Sequence, residues 1–308
     1  MFIKERINEW AYWIVQREAL RVAKESGKPP PWHKDQVMAN TRWCNVRRMD
    51  DKVSKWMLDH WYPLRATPAN YLLAALMARM INRPETLHAI SGGKPFKSFD
   101  YEHALREMYG IKDSGSVVFT NAYIINGASG GPKIEQVLGA IRDCADAMRN
   151  SPTGTRFIDG TSMQITANNL HALRGVGSFI AGQVVADLRH VLGDVREGWW
   201  RDRMTWAPSG PGSSRGMKYL LGLATPADMA GRGSDLSEKQ FLPALRELIK
   251  VAKNHPKVGL IFDERGLEAH DIQNTLCETS KSIRVSYGVG RAKNGYDAQA
   301  RFHVQEGI

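Results

Sequence analysis

Four stretches of this sequence combine residue types and spacings that could do chemistry. In HDIQNTLCETSKSIRV, Asp271, Glu278, Lys281 and Arg284 recur at helical intervals. Lys281 and Arg284 could contact phosphate, and Glu278 could hold an amine or act as a base. A surface helix with i,i+3 ion pairs has the same spacing. In CNVRRMDDKVSKWM, Asn45, Arg48 and Asp51 are spaced by three. Sharing one helix face, they could bind a phosphate, a flipped base or an amine; a solvated helix edge with internal ion pairs is the plainer reading. In SGPGSSRGMKYLLG, Gly210, Gly212 and Gly216 permit close backbone approach, and the amides near Ser213 and Ser214 open a helix. Arg215 adds a fixed charge. The segment is like an oxyanion cradle but lacks the P-loop pattern G-x-x-x-x-G-K-[ST], and an ordinary glycine-rich turn is the alternative.

The fourth stretch, LRGVGSFIAGQVVADL at 173–188, is the most demanding pattern. Gly175 and Gly177 allow a tight hairpin whose backbone N–H groups face outward. The helix opening near Ser178 adds its positive end, so Gly175, Val176, Gly177 and Ser178 form a candidate clamp for a DNA phosphate. Leu173, Val176, Ile180, Ala181 and Val184 would pack the two helices together. A glycine-capped helix and a short turn without ligand would read similarly.

The elements that position these residues are helical. Ile7, Trp10, Ala11, Ile14 and Val15 mark a helix over 3–27 that Gly27 and Pro29–Pro31 end. A second helix is expected after Asn45, through Val53, Trp56, Met57 and Trp61. Residues 69–83 are apolar almost all round and predict a buried helix. Further helices are expected from 84, over 100–110, over 132–149 with Pro132 in the first turn, and over 161–173, 178–192, 216–221, 236–253 and 267–281. VVFTNAYII (117–125) could pass for a strand, but Asn121 interrupts it and its neighbours are helical; HPKVGLIFDE is the one segment with some strand character. The loop 196–215 is the longest stretch without helical periodicity.

Bulk properties narrow the partners. The 308 residues carry 42 Lys+Arg against 32 Asp+Glu, a net charge of +10, which favours a polyanion such as nucleic acid. No apolar run approaches the length of a membrane span, and the charged amphipathic N-terminus does not read as a signal peptide, so a cytoplasmic protein without a membrane partner is expected. Cys44, Cys144 and Cys277 are far apart with no C-x-x-C spacing. That argues against disulfides, structural zinc and an iron–sulfur cluster, and no metal or cofactor is expected.

Taken in order, these segments resemble the DNA-modifying family named for α-glutamyl/putrescinyl thymine pyrophosphorylases. That family includes phage amino acid:DNA transferases and the helical domain linked to 5-hydroxymethyluracil DNA kinases. The resemblance covers roughly residues 10–297. It rests on N-x-x-R-x-x-D at Asn45, Arg48 and Asp51; R-x-x-N-x-x-x-T at Arg79, Asn82 and Thr86; and A-Y-I at Ala122, Tyr123 and Ile124. It continues through the hairpin at Gly175, Val176, Gly177, Phe179, Ala181, Gln183 and Asp187, G-P-G-x-x-R-G at 210–216, and C-E-x-x-K-x-x-R at Cys277, Glu278, Lys281 and Arg284.

The resemblance implies a mostly α, helix-hairpin-helix DNA-glycosylase-like fold of two intertwined helical lobes. It is expected as one domain over 1–308, with the hairpin at about 161–192 and a basic tail at about 286–308. It implies duplex DNA as partner, an amino acid or polyamine as co-substrate, and allows a 5-hydroxymethyluracil DNA kinase as a further partner. The implied setting is a phage-infected cell, where hypermodified thymine protects the genome from host nucleases. The implied reaction replaces the phosphate or pyrophosphate of an activated 5-hydroxymethyluracil, turned out of the stack, with an amine. Arg48, Arg215 and Lys281 are then candidates to stabilise the departing anion. Asp187 or Glu278 would take or position the amine proton, and Arg79 or Arg284 would hold a substrate carboxylate. The catalytic Asp register of helix-hairpin-helix glycosylases falls on Glu197, beside Asp194, and not on an Asp. This disfavours the alternative, a helix-hairpin-helix DNA glycosylase acting on a modified pyrimidine.

Overall fold

Short polar side chains and prolines start the helices of this chain. The side chains of Asp35, Thr67, Asp100 and Ser162 each accept a bond from a first-turn amide, and Pro68, Pro84, Pro211 and Pro256 sit in first turns where no donor is needed. Asn82, Gly92 and Gly266 end three helices in the left-handed conformation. The computed structural model describes residues 1–63, 65–120, 131–150, 156–192, 199–231 and 235–289.

In chain order the elements are α1 (Lys4–Glu25), α2 (Gln36–Asn40), a 3-10 turn (Arg48–Asp50), and α3 (Lys52–Trp56) running into a π turn (Met57–Trp61). There follow α4 (Pro68–Ile81), α5 (Pro84–Ser91), α6 (Tyr101–Asp113), α7 (Lys133–Arg149), α8 (Met163–His171) and α9 (Ser178–Leu192). The last are α10 (Pro211–Leu220), a 3-10 turn (Ala227–Ala230), α11 (Glu238–Asn254), α12 (Pro256–Arg265) and α13 (Ala269–Ser286). The fold is mostly α, with no strand among the described residues.

The chain divides into two compact units, one joining Met1–Asp51 to Met204–Ile308 and the other formed by Lys52–Arg203. In the terminal unit α10 lies against α13 so closely that a Cβ on Gly216 would overlap the Leu276 carbonyl. α1 packs on α12 and α13, and Trp10 donates its indole N–H to Thr275 Oγ1 at 3.0 Å. In the middle unit α4 is the buried axis, contacting α5, α7 and α9. Fully burying Leu72, Leu76, Met77 and Ile81 of this helix contributes about 1.5–3 kcal/mol each.

Four expectations are corrected. HPKVGLIFDE is helix α12, because His255 caps it, Pro256 opens it and Gly266 closes it. Asn45, Arg48 and Asp51 do not share a helix face: they lie on a loop and a 3-10 turn that precede α3. α10 begins at Pro211, five residues before the expected start, and Pro132 is the N-cap of α7 and not part of its first turn. Residues 117–120 are irregular; 121–125, with the Ala122–Ile124 motif, lie outside the described residues. So do Asp194, Glu197 and the tail from 290 onward.

Candidate active site

In the terminal unit, the first and last motifs of the chain meet side by side. The loop 42–48 is laced along α13, one contact for each helical turn or so. Lys281 Nζ donates to the Arg42 carbonyl. The Cys44 amide donates to Glu278 Oε2 at 3.1 Å, Asn274 Nδ2 to the Asn45 carbonyl at 3.1 Å, and the Arg48 amide to Asp271 Oδ1 at 2.8 Å. Residues 274, 278 and 281 lie on one face by i,i+3 and i,i+4 spacing, which is why one extended loop can bond to each in turn. Asn45 closes its own loop, donating to the Asp50 carbonyl at 2.8 Å, and Asp51 follows as an exposed residue.

Glu278 is 7% exposed, yet only one carboxylate oxygen is engaged. Oε2 takes the Cys44 amide and lies 3.4 Å from Lys281 Nζ; Oε1 has no partner among the described residues. Lys281 in turn sits 5.0 Å from the ring centre of Trp43, a cation over an aromatic face. The Glu278 charge pushes the neighbouring Cys44 thiol up to about 12, with burial adding to it. Cys44 is exposed as a residue, and the carboxylate is the principal cause.

α10 approaches the other side of α13. A Cβ on Gly212 would stand 3.2 Å from Cys277 Sγ, so Gly212 and Gly216 serve a close helix crossing. The crossing brings the first turn of α10 to Cys277, whose thiol is pushed up to about 12 by burial and then by Glu278, while bonds from Ser213 pull it down. Arg215 Nε donates to Ser280 Oγ at 3.4 Å, and the remaining guanidinium nitrogens have no partner among the described residues. Arg284 is half-buried in the last turn of α13. Asp271, capping that helix with bonds from the Glu268 and Arg48 amides, is pushed upward by burial, against those bonds and the pull of Arg47 and Arg48.

In the middle unit, the R-x-x-N-x-x-x-T motif and Asp187 form one buried network. Arg79 reaches Asp187 with Nε to Oδ2 at 2.5 Å and Nη2 to Oδ1 at 2.7 Å. Tyr62 donates to Oδ2 at 3.0 Å, and Arg79 also donates to Ser54 Oγ at 3.0 Å and Asn82 Oδ1 at 3.3 Å. Asn82 passes on to Thr120 and Thr86 to the Val118 carbonyl. Both Asp187 oxygens are thus occupied, as suits a positioning carboxylate.

The hairpin joins α8 to α9 in the same unit. Gly175 turns at φ 79°, Val176 is buried beneath it, and Gly175, Gly177 and Ser178 are exposed. Their three amides donate to nothing among the described residues, so they remain available to an anion.

Sequence reasoning missed Arg17, Trp43, Tyr62 and Ser54. Arg17 had a signal: it occupies the apolar stripe of α1 one turn from Trp13 and Ile14, where a charge needs a reason. Tyr62 and Ser54 had none, since their partners are 125 and 25 residues away.

The sequence matches the family model described as "5-hmdU DNA kinase, helical domain" over residues 4–290. A relative named "5-hmdU DNA kinase", from Bacillus phage SP10, is 28% identical over 317 residues, covering 95% of this chain. The chain spans 45% of that relative's length. No solved structure matches it.

Proposed function

We propose, on the premise that this chain belongs to the family of 5-hmdU DNA kinase helical domains, that it works on DNA containing 5-hydroxymethyluracil and exchanges the phosphate of the activated base for an amine. The observation that carries the reading is Glu278, a buried carboxylate with one oxygen fixed by the Cys44 amide and the other without a partner. Such a group is oriented to accept one proton from one direction.

In the proposed step the amine nitrogen attacks the exocyclic carbon. A C–N bond forms, the C–O bond to phosphate or pyrophosphate breaks, and the leaving group departs with the bond pair. The nitrogen's proton passes to Glu278 Oε1. Lys281 and Arg215 stabilise the departing anion, with Arg48 a further candidate. Arg284 is proposed to hold the carboxylate of an amino-acid substrate. No cofactor is required by this balance. Arg79 and Asp187 are proposed to set α9 in place, so that Gly175–Ser178 hold a phosphate of the duplex while the base is turned out.

A second reading is phosphorylation of 5-hydroxymethyluracil, favoured by the name of the phage relative. One experiment separates these. DNA with 5-phosphomethyluracil is incubated with the protein and a mixture of amino acids and polyamines, and its nucleosides are weighed. Loss of phosphate with gain of one amine is expected. No mass change with any amine overturns the transfer reading, phosphate gain on 5-hydroxymethyluracil DNA with ATP supports the kinase, and abasic sites with free base support a glycosylase.

A further inference from the structure

Arg17 is 3% exposed on the apolar stripe of α1, and no carboxylate lies within ion-pair distance of it among the described residues. Its partners are two backbone carbonyls: Cys44 O, from Nε at 2.9 Å and Nη2 at 2.7 Å, and Asn45 O, from Nη2 at 2.9 Å. Burying a guanidinium against neutral acceptors is costly, and an apolar side chain here would stabilise the helix packing more simply. The charge is therefore retained for what it holds. What it holds is the peptide unit joining Cys44 to Asn45, and the amide at the near end of Cys44 is the donor to Glu278 Oε2.

We infer that Arg17 is a positioning residue that clamps the Cys44–Asn45 loop against α13, keeping the Cys44 amide on Glu278 so that Oε1 is the oxygen left to work. A planar fork taking two carbonyls at once fixes both the position and the tilt of the loop, which a lysine cannot do. Asn274 and Asp271 hold the same loop further along but touch neither end of Cys44. The catalytic consequence rests on the transfer reading above; the clamp does not.

The test compares Arg17→Lys with Trp10→Phe, which removes a bond from α1 to α13 but leaves the loop untouched. Alkylation of Cys44 in the folded protein is followed at pH 8 by peptide mass spectrometry, with Cys277 as internal marker of an intact unit. The Cys44 thiol is held up chiefly by Glu278, so releasing the loop frees it to ionise. Arg17→Lys is expected to speed Cys44 alkylation roughly tenfold or more with Cys277 still slow, and to lower kcat for transfer by a similar factor with little change in KM for DNA. Trp10→Phe is expected to lower Tm and change neither. An Arg17→Lys protein that alkylates at the wild-type rate overturns the clamp. Faster alkylation in Arg17→Lys supports it, even if the wild-type protein proves unable to transfer an amine, a result that would sink only the function proposed above.

Discussion

Arg79 and Asp187, from α4 and α9, meet in a two-pronged ion pair, Nε to Oδ2 at 2.5 Å and Nη2 to Oδ1 at 2.7 Å, with 2% and 4% of the residues exposed. Tyr62 completes the carboxylate and Ser54 and Asn82 the guanidinium. The pair joins the buried axis of the middle unit to the second helix of the hairpin.

Breaking one side of this pair strands the other charge in the interior. Asp187→Asn is expected to cost about 3–5 kcal/mol in urea unfolding, whereas Arg79→Met with Asp187→Leu recovers much of that loss. A folded Asp187→Asn protein of wild-type stability that no longer transfers an amine would instead make Asp187 the proton acceptor.

Glu278→Gln removes the proposed base and keeps its shape. Transfer is expected to fall by about a hundredfold or more while DNA affinity stays near wild type. The same change removes the main cause that lifts the Cys44 thiol to about 12. With the carboxylate present, little Cys44 is thiolate at pH 8, and alkylation rises only at higher pH. Without it the thiol falls toward its ordinary range, and the rise comes at lower pH. Identical pH profiles for the two proteins would show that Cys44 does not sense Glu278.

The helices were legible where the apolar periodicity is sustained, as in α4, α7 and α9. α12 was not, because Val258–Phe262 is an apolar run that suits a strand or a buried helix, and only the His255–Pro256 start and Gly266 stop decide it. Of the site, the spacing of Glu278 and Lys281 was readable because i,i+3 residues share a helix face. The spacing of Asn45, Arg48 and Asp51 misled: Asp271, 223 residues away, takes the Arg48 amide and holds the segment as a 3-10 turn. A partner that distant leaves no local pattern. Arg17 was missed although a charge in an apolar stripe is a readable signal; what it grips left no local pattern.

Gly216→Ala tests the close crossing of α10 and α13. The added methyl would overlap the Leu276 carbonyl, backbone that cannot step aside, so a loss of about 3 kcal/mol is expected in thermal unfolding. Gly212→Ala meets the Cys277 side chain at 3.2 Å and is expected to cost less. Equal stabilities for the two variants would mean that the helices separate freely.

The hairpin glycines divide structure from binding. Gly175 has φ 79° and a Cβ there would stand 2.6 Å from the Ala140 Cβ, so Gly175→Ala is expected to lower stability by about 1–3 kcal/mol and to weaken DNA binding as a consequence. Gly177 has open space within 4 Å of its Cβ position and no left-handed φ. Gly177→Ala is therefore expected to leave Tm near wild type. Its amide, like those of Gly175 and Ser178, has no acceptor among the described residues, and a methyl there would crowd an approaching phosphate. Duplex affinity measured at fixed salt is expected to fall several-fold with a similar salt slope, since no charge is removed. If Gly177→Ala binds duplex DNA like the wild type, the hairpin is a helix connection and the phosphate contact must be sought elsewhere on the protein.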